Sequence, residues 1–556
     1  MRSSRRGHGV RKVSLGILLA VIVAVGAIGT VRSKPSAAEP ATTKRYQLPA
    51  GLPSRHARTV DPLEPRQVAL ATRDDKREHL ALGQVRAHTQ PFLADGHAGA
   101  VGSTLVVTAR PKPYELAEVA RLVPAAFERL ADGALLLKVS LLVAPDAVLV
   151  VDSKTVPTLL LSSSAKGYAT IDAIQSTLTL QGHVGRMLAV RSYDPTTGRA
   201  DENRHDGRAY VRTRGGELNL RQTNTSELGF PFTGATSGVA WTAKLDHPAT
   251  GGASNSTFVH NYFGAYSAGA EGLVIDRSAF LDNTIYGFDP HTATNHALVT
   301  DSAAALNGRH GFIFSEGCDH NVVRDSESFL NGGTGFMIDD GTPEHGLNRT
   351  SNDNALIDVS AHDNGDVGIV IEGGKGNSVE QSDVSNNGSG IWVRNQAAQT
   401  QIVDNRVSAS RLSAVHLGEG LGTTQLTGNE ITGATVGADS DGGSITIMTR
   451  NRIADTTAAG LRLDGDQRQA RFTDVVISEA GSHAVDVRGM PLSKRALAGI
   501  DSGSVARAAS WTLTSLLHDA VVLLWAAILV LPLLSRLPLL RRRLSVRFAT
   551  AGATAT

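Results

Sequence analysis

A repeat with a period near 24 residues constrains the fold of this chain more than any other feature. From about residue 260, alternating apolar positions follow a small residue, and successive small residues are 23, 24, 24, 33, 22, 24, 23, 23 and 24 positions apart. This period matches one turn of a three-sided coil of parallel strands at about 3.3 Å per strand residue. An antiparallel barrel or propeller would need paired hairpin turns, which the spacing does not supply. The small residues are Gly264, Gly287, Gly311, Gly335, Gly368, Gly390, Ala414, Gly437, Gly460 and Ala484.

The alternation after each small residue predicts which side chains point into the coil. Positions one and three residues after it should fill the interior: Phe312, Phe314, Phe336, Ile338, Ile369, Ile371, Ile391, Val393, Val415, Leu417, Leu461 and Leu463. Positions two and four after it should face solvent: Ile313, Ser315, Met337, Asp339, Val370, Glu372, Trp392 and Arg394. In the coil that begins at Gly287, the same rule sends Phe288 and Pro290 inward. It predicts an exposed pair, Asp289 and His291, about 7 Å apart.

Asparagine recurs four residues before the small residue in five successive coils. Stacked coils would align these side chains, whose amides can hydrogen-bond along the stack. We therefore expect a structural role for Asn283, Asn307, Asn331, Asn364 and Asn386.

The chain before the regular repeat is less clearly patterned. Residues 133–220 carry shorter β-rich runs, which we interpret as earlier, irregular coils, so that the coil domain spans 133–489. Within the region 67–132, Tyr114 to Leu130 has apolar residues at helical spacing, with Pro124 as a kink, and is predicted to be a helix that covers the open end of the stack. The rest of that region has no assignable pattern. Residues 33–66, rich in Pro, Ala, Ser and charge, indicate a linker.

Both ends of the chain carry apolar segments flanked by arginines. Val13 to Val31 are uncharged and mostly apolar and follow a basic start, which predicts a signal anchor within residues 1–32, with a cleaved signal peptide as the alternative. A second span is predicted at 520–540, between a juxtamembrane segment at 490–519 and a basic tail at 541–556, with a buried core helix as the alternative. The positive-inside rule then places both termini in the cytoplasm and the coils outside it.

Composition excludes several classes of function. Lys and Arg number 54 and Asp and Glu 53, a net charge of +1 that is too balanced for a polybasic nucleic-acid-binding protein. The single cysteine, Cys318, excludes an intrachain disulfide framework, a thiolate zinc cluster and a CxxC redox pair. We expect no metal site, no cofactor and no nucleic-acid partner.

Two strings in successive coils carry a family resemblance. Tyr286-Gly-Phe-Asp-Pro-His291 is followed one coil later by Asn307-Gly-Arg-His-Gly-Phe312. These strings resemble the motifs of the mannuronan C5-epimerases, right-handed parallel β-helix proteins that act on alginate. The resemblance implies that Tyr286, Asp289 and His291 are catalytic and that Arg309 and His310 contact the substrate or share the chemistry. The family often has an acidic residue after the histidine, where this chain has Thr292.

The chemistry of C5 inversion fits these residue types. A proton beside a carboxylate must be removed from one face of the sugar and a proton returned to the other, which requires two proton-transfer groups and a charge neutraliser. His291 titrates near neutral pH, and the Tyr286 phenol is expected to donate from the other face. Arg309 is expected to pair with the substrate carboxylate and Asp289 to orient His291. Two further residues on the outer face, Asp339 and Arg394, are expected to bind substrate.

These features predict a membrane-tethered right-handed parallel β-helix with flanking transmembrane helices, acting outside the cytoplasm as a C5-epimerase of uronate residues in a polysaccharide. A polysaccharide lyase would use the same base and neutraliser, and a non-catalytic polysaccharide-binding or export scaffold would use the same fold. The expected partners are an anionic polysaccharide, the membrane, and the machinery that makes or exports the polysaccharide.

Overall fold

A coil of three parallel sheets forms the body of the protein. The computed structural model describes residues 46–50, 52, 61–95, 103–341, 349–489 and 492–502. Along most of that part of the chain, each turn adds one strand to each sheet, and the strands of successive turns pair in parallel register, as Phe312 does with Phe336 and Val299 with Val323. The predicted stack of parallel β-coils is confirmed.

The strand bounds show how regular the stack is. Sheet 1, which carries the residues of interest, contains Phe92–Ala94, Thr104–Val107, Ser140–Val143, Ile171–Ile174, Val211–Arg214, Val239–Thr242, Ala265–Ala268, Phe288–His291, Phe312–Ser315, Phe336–Asp339, Val367–Glu372, Ser389–Arg394, Ser413–Leu417, Val436–Ser440, Ala459–Gly465 and His483–Gly489. Sheet 2 contains Tyr114–Glu115, Val148–Asp152, Thr177–Gln181, Glu217–Arg221, Thr250–Ser254, Val274–Asp276, Leu298–Thr300, Val322–Arg324, Ala355–Ile357, Ser378–Glu380, Thr400–Val403, Thr423–Thr427, Ile445–Thr449 and Arg471–Thr473. Sheet 3 contains Phe127–Arg129, Leu135–Leu137, Thr158–Ser164, Gly167–Tyr168, Leu188–Asp194, Arg199–Ala200, Thr223–Ser226, Thr257–Val259, Ala279–Leu281, Ala303–Ala305, Glu327–Phe329, Ser360–His362, Asp383–Ser385, Arg406–Ser408, Glu430–Thr432, Arg452–Thr456, Val475–Ala480 and Ile500–Asp501.

The interior of the coil is apolar, as the alternation predicts. All twelve side chains assigned to it are buried, and phenylalanines stack from turn to turn, with ring centroids 5.2 Å apart for Phe312 and Phe336 and 5.4 Å apart for Phe280 and Phe288. Aromatic rings at this spacing contribute beyond the area that they bury. The interior therefore holds each outward position of sheet 1 at a fixed place.

The prediction that the outward positions face solvent is wrong for several of them. Ile313, Met337 and Val370 are buried and form an apolar cluster with Tyr286 and Trp392 on the outer face of sheet 1. Ser315 and Asp289 are buried there too. Neighbouring strands lie only about 4.8 Å apart, so side chains in one outward row cover one another.

The asparagine ladder is present, with one correction. Asn283 donates from its side-chain amide to Asn307, Asn307 to Asn331 and Asn331 to Asn364, at 2.9 to 3.0 Å. The next acceptor is Asn387, not Asn386. This coil is one residue shorter before its glycine, and Asn386 occupies the left-handed turn position, at φ 56°, that Asp363 occupies in the preceding coil.

The N-terminal part departs from the expected pattern. A helix, α1 (Pro65–Gln84), contacts the first strands of sheet 1 and occupies the beginning of the region without an assigned pattern. The helix predicted up to Leu130 is shorter: α2 (Leu116–Leu122) ends before a 3₁₀ turn at Pro124–Ala126, because proline disfavours helical geometry in the residue before it. Leu116 and Val119 of α2 are buried in the core at this end of the stack. A third helix, α3 (Lys494–Leu497), follows the last coils.

Both apolar terminal segments, Val13 to Val31 and 520–540, lie outside the described residues. Among the helices that the structure describes, none is long and apolar enough to cross a bilayer.

Candidate functional site

The candidate site lies on the outer face of sheet 1, on the strand Phe288–His291. Because Phe288 and Pro290 point into the coil, Asp289 and His291 point outward, with Tyr286 just before the strand. Asp289 therefore lies between the phenol and the imidazole along one short stretch of backbone. The structure brings together the three residues that the family resemblance names as catalytic.

Asp289 is buried rather than exposed. The residue is only 3% exposed, and its Oδ1 atom has no hydrogen-bond partner among the described residues. Burial raises the pKa of this carboxyl well above its usual range, and the nearby carboxylates of Asp339 and Glu316 raise it further. Both effects favour the neutral form of the carboxyl, which can donate a hydrogen bond.

Tyr286 is supported by two residues of the next coil. Its ring stacks on that of His310 at 5.5 Å between centroids and 8° between planes, and Arg309 donates a hydrogen bond from Nη1 to its hydroxyl at 3.0 Å. Burial and the nearby Asp289 raise the pKa of Tyr286, Arg309 lowers it, and the resulting pKa is about 12. The phenol is therefore protonated at neutral pH and stands beside a fixed cation.

His310 supports the ring of Tyr286 and is itself held in place. It is buried, and its Nδ1 accepts a hydrogen bond from the backbone N–H of Thr334 at 3.0 Å. Burial, together with the nearby charges of Arg309 and Arg394, lowers the pKa of His310 to about 3. His310 is a neutral platform beneath Tyr286 and is in a poor position to exchange protons.

His291 contacts a hydroxyl and a carboxylate. Its Nδ1 lies 2.6 Å from the hydroxyl of Thr292, which lies 3.2 Å from Oε2 of Glu316. Burial lowers the pKa of His291, while Glu316 acts in the opposite direction. We expected Asp289 to orient His291, but no hydrogen bond or ion pair joins these two residues in the described part of the chain. The polar contacts of the His291 ring are instead made with Thr292 and, through it, with Glu316.

The two further residues expected to bind substrate lie along the same face. Burial raises the pKa of Asp339 to about 6, against the hydrogen bond that it accepts from the backbone of Gly341 at 2.9 Å. Arg394 pairs with Glu372 at 2.5 Å and lies over the ring of Trp392. A cavity of about 400 Å³ opens here, and Arg309, His310, Met337, Trp392 and Arg394 line it. The cavity therefore offers the ring of Trp392 and the guanidinium groups of Arg309 and Arg394.

The sequence interpretation missed Glu316 and Tyr266, although the repeat contained the signal for both. Glu316 stands five residues after Gly311, as Thr292 does after Gly287, so the two stack in successive coils. Tyr266 pairs in register with Asp289, and its ring lies 5.8 Å from that of His291. Projecting the repeat in both directions from Asp289 would have found these neighbours.

In the described part of the chain, one group of side chains is close enough to hold a metal ion: His416, Asp439 and Asp441, with ligand atoms within 4.8 Å of one another. His416 Nδ1 lies 3.4 Å from Asp439, and its Nε2 lies 3.6 Å from Asp441. Burial lowers the pKa of His416, but these carboxylates outweigh it and raise the pKa overall. The two carboxylates therefore favour the protonated form of the imidazole.

Comparison with known proteins supports the architecture. Residues 248–407 match the family model described as "Right handed beta helix region". The periplasmic alginate epimerase AlgG superimposes with a TM-score of 0.56 at 16% identity, over 77% of this chain and 91% of that chain. The mannuronan C-5 epimerase AlgE4 A-module of Azotobacter vinelandii superimposes with a TM-score of 0.39 at 15% identity, over 71% of this chain and 95% of that chain, a likeness too weak to carry an argument.

No curated protein matches the sequence significantly. At 16% identity, the likeness to AlgG establishes the fold, and with the matching family model it gives the coil its hand. The fold that the sequence resemblance implied is confirmed, and the chain is a right-handed parallel β-helix protein.

Proposed function

We propose that the protein is a polysaccharide-modifying enzyme that inverts C5 of uronate residues within a polymer. One observation carries the proposal. Asp289 is a buried carboxyl whose Oδ1 has no hydrogen-bond partner among the described residues, and it lies between a phenol and an imidazole on the outer face of the β-helix. Perturbed carboxyls of this kind concentrate at functional sites. One solved structure with this fold, which matches 77% of the chain, is that of a periplasmic alginate epimerase.

In this mechanism His291 is the base. Burial lowers the pKa of His291, so the ring is neutral at pH 7 and can accept the C5 proton. The C5–H bond breaks, and its electron pair moves into an enediolate that extends over the substrate carboxyl group. No oxidant or leaving group is required.

Tyr286 then returns a proton to the opposite face. Its pKa of about 12 keeps the phenol protonated until it reacts, and a new C5–H bond forms as the O–H bond breaks. Arg309, which donates to the same oxygen, stabilises the phenolate that results. This assignment differs from the expectation that Arg309 pairs with the substrate carboxylate. Solvent then takes the acquired proton from His291 and returns a proton to the Tyr286 phenolate.

Asp289 supplies the neutraliser. A neutral carboxyl donates a hydrogen bond to the substrate carboxylate, and this bond strengthens as negative charge develops on the enediolate. An ionised Asp289 would repel the same group, so the burial that raises its pKa is what makes it useful. The enzyme thus uses a protonated acid where a cation was expected.

The location is part of the proposal. The arginines that flank both apolar terminal segments support a membrane-tethered protein whose β-helix lies outside the cytoplasm. Protease added to cells stripped of their outer barrier should degrade the β-helix and spare tags at both ends of the chain. Digestion of the tags with protection of the β-helix would reverse the topology.

Exchange from deuterated water tests the reaction. The full-length protein in detergent is incubated with polymannuronate or polyglucuronate, and deuterium at C5 is measured by NMR. Exchange without new double bonds supports epimerisation, unsaturated ends that absorb in the ultraviolet indicate a lyase, and no exchange on any uronan indicates a binding scaffold. His291→Ala and Tyr286→Phe should lose exchange, whereas His296→Ala, an exposed histidine on the same coil, should retain it.

A further inference from the structure

Thr292 joins His291 to the next coil. Its hydroxyl oxygen lies 2.6 Å from His291 Nδ1 and 3.2 Å from Glu316 Oε2. The direct distance from His291 Nδ1 to the same carboxylate oxygen is 3.7 Å, which is too long for a hydrogen bond. The Thr292 hydroxyl therefore bridges the imidazole of His291 and the carboxylate of Glu316 through two hydrogen bonds.

The protons in this chain can be assigned by donor and acceptor capacity. An ionised carboxylate only accepts, so the Thr292 hydroxyl must donate its single hydrogen to Glu316. The oxygen of Thr292 is then the acceptor toward His291, and His291 must carry its hydrogen on Nδ1. In a neutral ring, this leaves Nε2 with the free lone pair.

We propose that Thr292 and Glu316 are positioning residues that hold His291 in the Nδ1-protonated tautomer, so that Nε2 is the atom that removes the substrate proton. The assignment of Nε2 as the base rests on the proposed function, while the tautomer rests on the contacts alone. The carboxylate that acts on His291 comes from the neighbouring coil, through the hydroxyl of Thr292.

The backbone holds all three groups in register. Thr292 and Glu316 have left-handed φ angles of 36° and 57°, and each follows its strand directly. The N–H of Ala293 donates to the Glu316 carbonyl at 3.1 Å. The hydroxyl of Thr294 donates to the His291 carbonyl at 3.0 Å.

The electrostatic surroundings single out Glu316 as the carboxylate that acts on His291. In the described part of the chain, Tyr266 on the preceding strand and Glu316 in the next coil face the ring, and Asp289 stands two residues before it on the same strand. Burial raises the pKa of Tyr266 and of Asp289 and so favours the neutral form of each. Loss of the Glu316 charge should therefore lower the pKa of His291 and shift the acidic limb of the pH–rate profile to lower pH.

The test combines a spectroscopic and a kinetic measurement on the full-length protein. ¹⁵N NMR of the His291 ring at pH 7.5, without substrate, should show a protonated Nδ1 and an unprotonated Nε2. Thr292→Val keeps the side-chain shape and removes the bridge. It should produce a mixture of tautomers and lower kcat by about 10-fold with little change in KM. Thr292→Ser should restore the single tautomer and the wild-type kcat. Glu316→Gln should shift the acidic limb of the kcat/KM profile to lower pH.

Two results would overturn the proposal. One is a wild-type ring protonated at Nε2, and the other is a Thr292→Val protein with unchanged tautomer and unchanged kcat. Failure of the proposed function is a separate result, because it would appear as the absence of C5 exchange on any uronan while the NMR assignment of Nδ1 stands. The positioning roles of Thr292 and Glu316 can therefore be judged without a substrate.

Discussion

Two regions on the outer face of sheet 1 bury ionisable side chains, and they differ in whether those side chains have partners of opposite charge. Beneath α1, Asp172 and Arg212 are 1% and 2% exposed and pair with each other, and Arg212 also pairs with Glu78 at 2.9 Å. Arg77 of α1 pairs with Asp74 and reaches Asp172 at 3.6 Å. In the site, Asp289 is equally buried, but its charged neighbours are the acidic Asp339 and Glu316.

The difference indicates what each region is for. Burying a charge costs several kcal/mol, and a well-placed partner recovers much of that cost. The region beneath α1 recovers it, so its ions attach the helix to the coil. In the site, Asp289 has no such partner among the described residues, and the cost of burying a charge is instead avoided by keeping its carboxyl protonated. A carboxyl that remains unpaired beside a phenol and an imidazole supports the chemical role proposed for Asp289.

The largest expected effect comes from unpairing the region beneath α1. Arg212→Met should lower the free energy of unfolding by about 3 to 5 kcal/mol, because Asp172 and Glu78 would lose their common cation. Arg214→Met is the matched control on the same strand, where the side chain is 28% exposed, and should cost about 1 kcal/mol or less. Urea titration of both variants measures the difference. Equal losses would show that burial does not distinguish the two pairs.

Function and stability should separate within the site. His291→Ala should lower C5 exchange by on the order of 10²-fold or more, because it removes the base, while the melting temperature changes little. Phe312→Ala, one coil along and fully buried, should instead destabilise the stack by about 3 to 5 kcal/mol. The two variants are compared by NMR exchange and thermal melting. A His291→Ala protein with full exchange would remove His291 from the mechanism.

These contrasts also show what could be predicted from the sequence. The coil repeat sufficed for the parallel sheets and for interior residues such as Phe312, because a period of about 24 residues leaves few alternatives. It also placed Asp289 and His291 on one outer face. It did not predict that Asp289 is buried, because burial on that face depends on side chains from neighbouring coils such as Tyr266, which are distant in sequence.

α1 was missed for a different physical reason. The search for helices relied on apolar periodicity, but the side of α1 that faces the coil buries Gln67, Asp74, Arg77 and Glu78. The buried apolar residues of α1 are the small Ala71 and Ala81, so a helix that docks largely through ion pairs has only a weak apolar stripe to detect. Asn386 illustrates a finer limit, since the ladder shifts by one residue when a coil shortens by one.

Asp289→Asn should affect stability less than these substitutions and in the opposite direction. Folding raises the pKa of Asp289, so its favourable contribution is complete below the unfolded pKa of about 3.9 and is lost as pH rises through the folded value. The amide does not titrate, so the variant should be more stable than wild type at pH 7 by on the order of 1 kcal/mol, with a flatter stability profile above pH 4. C5 exchange should nevertheless fall.

Asp301→Asn, an exposed position on the same coil, is the control for this experiment and should leave the stability profile unchanged. Stability of both variants is measured by urea titration from pH 4 to pH 8. If Asp289→Asn were less stable than wild type throughout, Asp289 would be an ionised, compensated group like Asp172, and the contrast between the two regions would fail.

The smallest effect is expected at Arg394, which tests whether pairing also predicts roles within the site. Arg394 is already paired with Glu372, so Arg394→Ala should change kcat by less than about 3-fold and raise KM modestly. Arg309, exposed and bonded to the Tyr286 hydroxyl, should matter more, and Arg309→Ala should lower kcat by about 10-fold, because the phenolate would lose a charge-assisted hydrogen bond. Steady-state kinetics on the uronan that supports exchange separates the two. If Arg394→Ala lowered kcat more than Arg309→Ala, the guanidinium of Arg394, although paired with Glu372, would be the group that stabilises charge in the transition state.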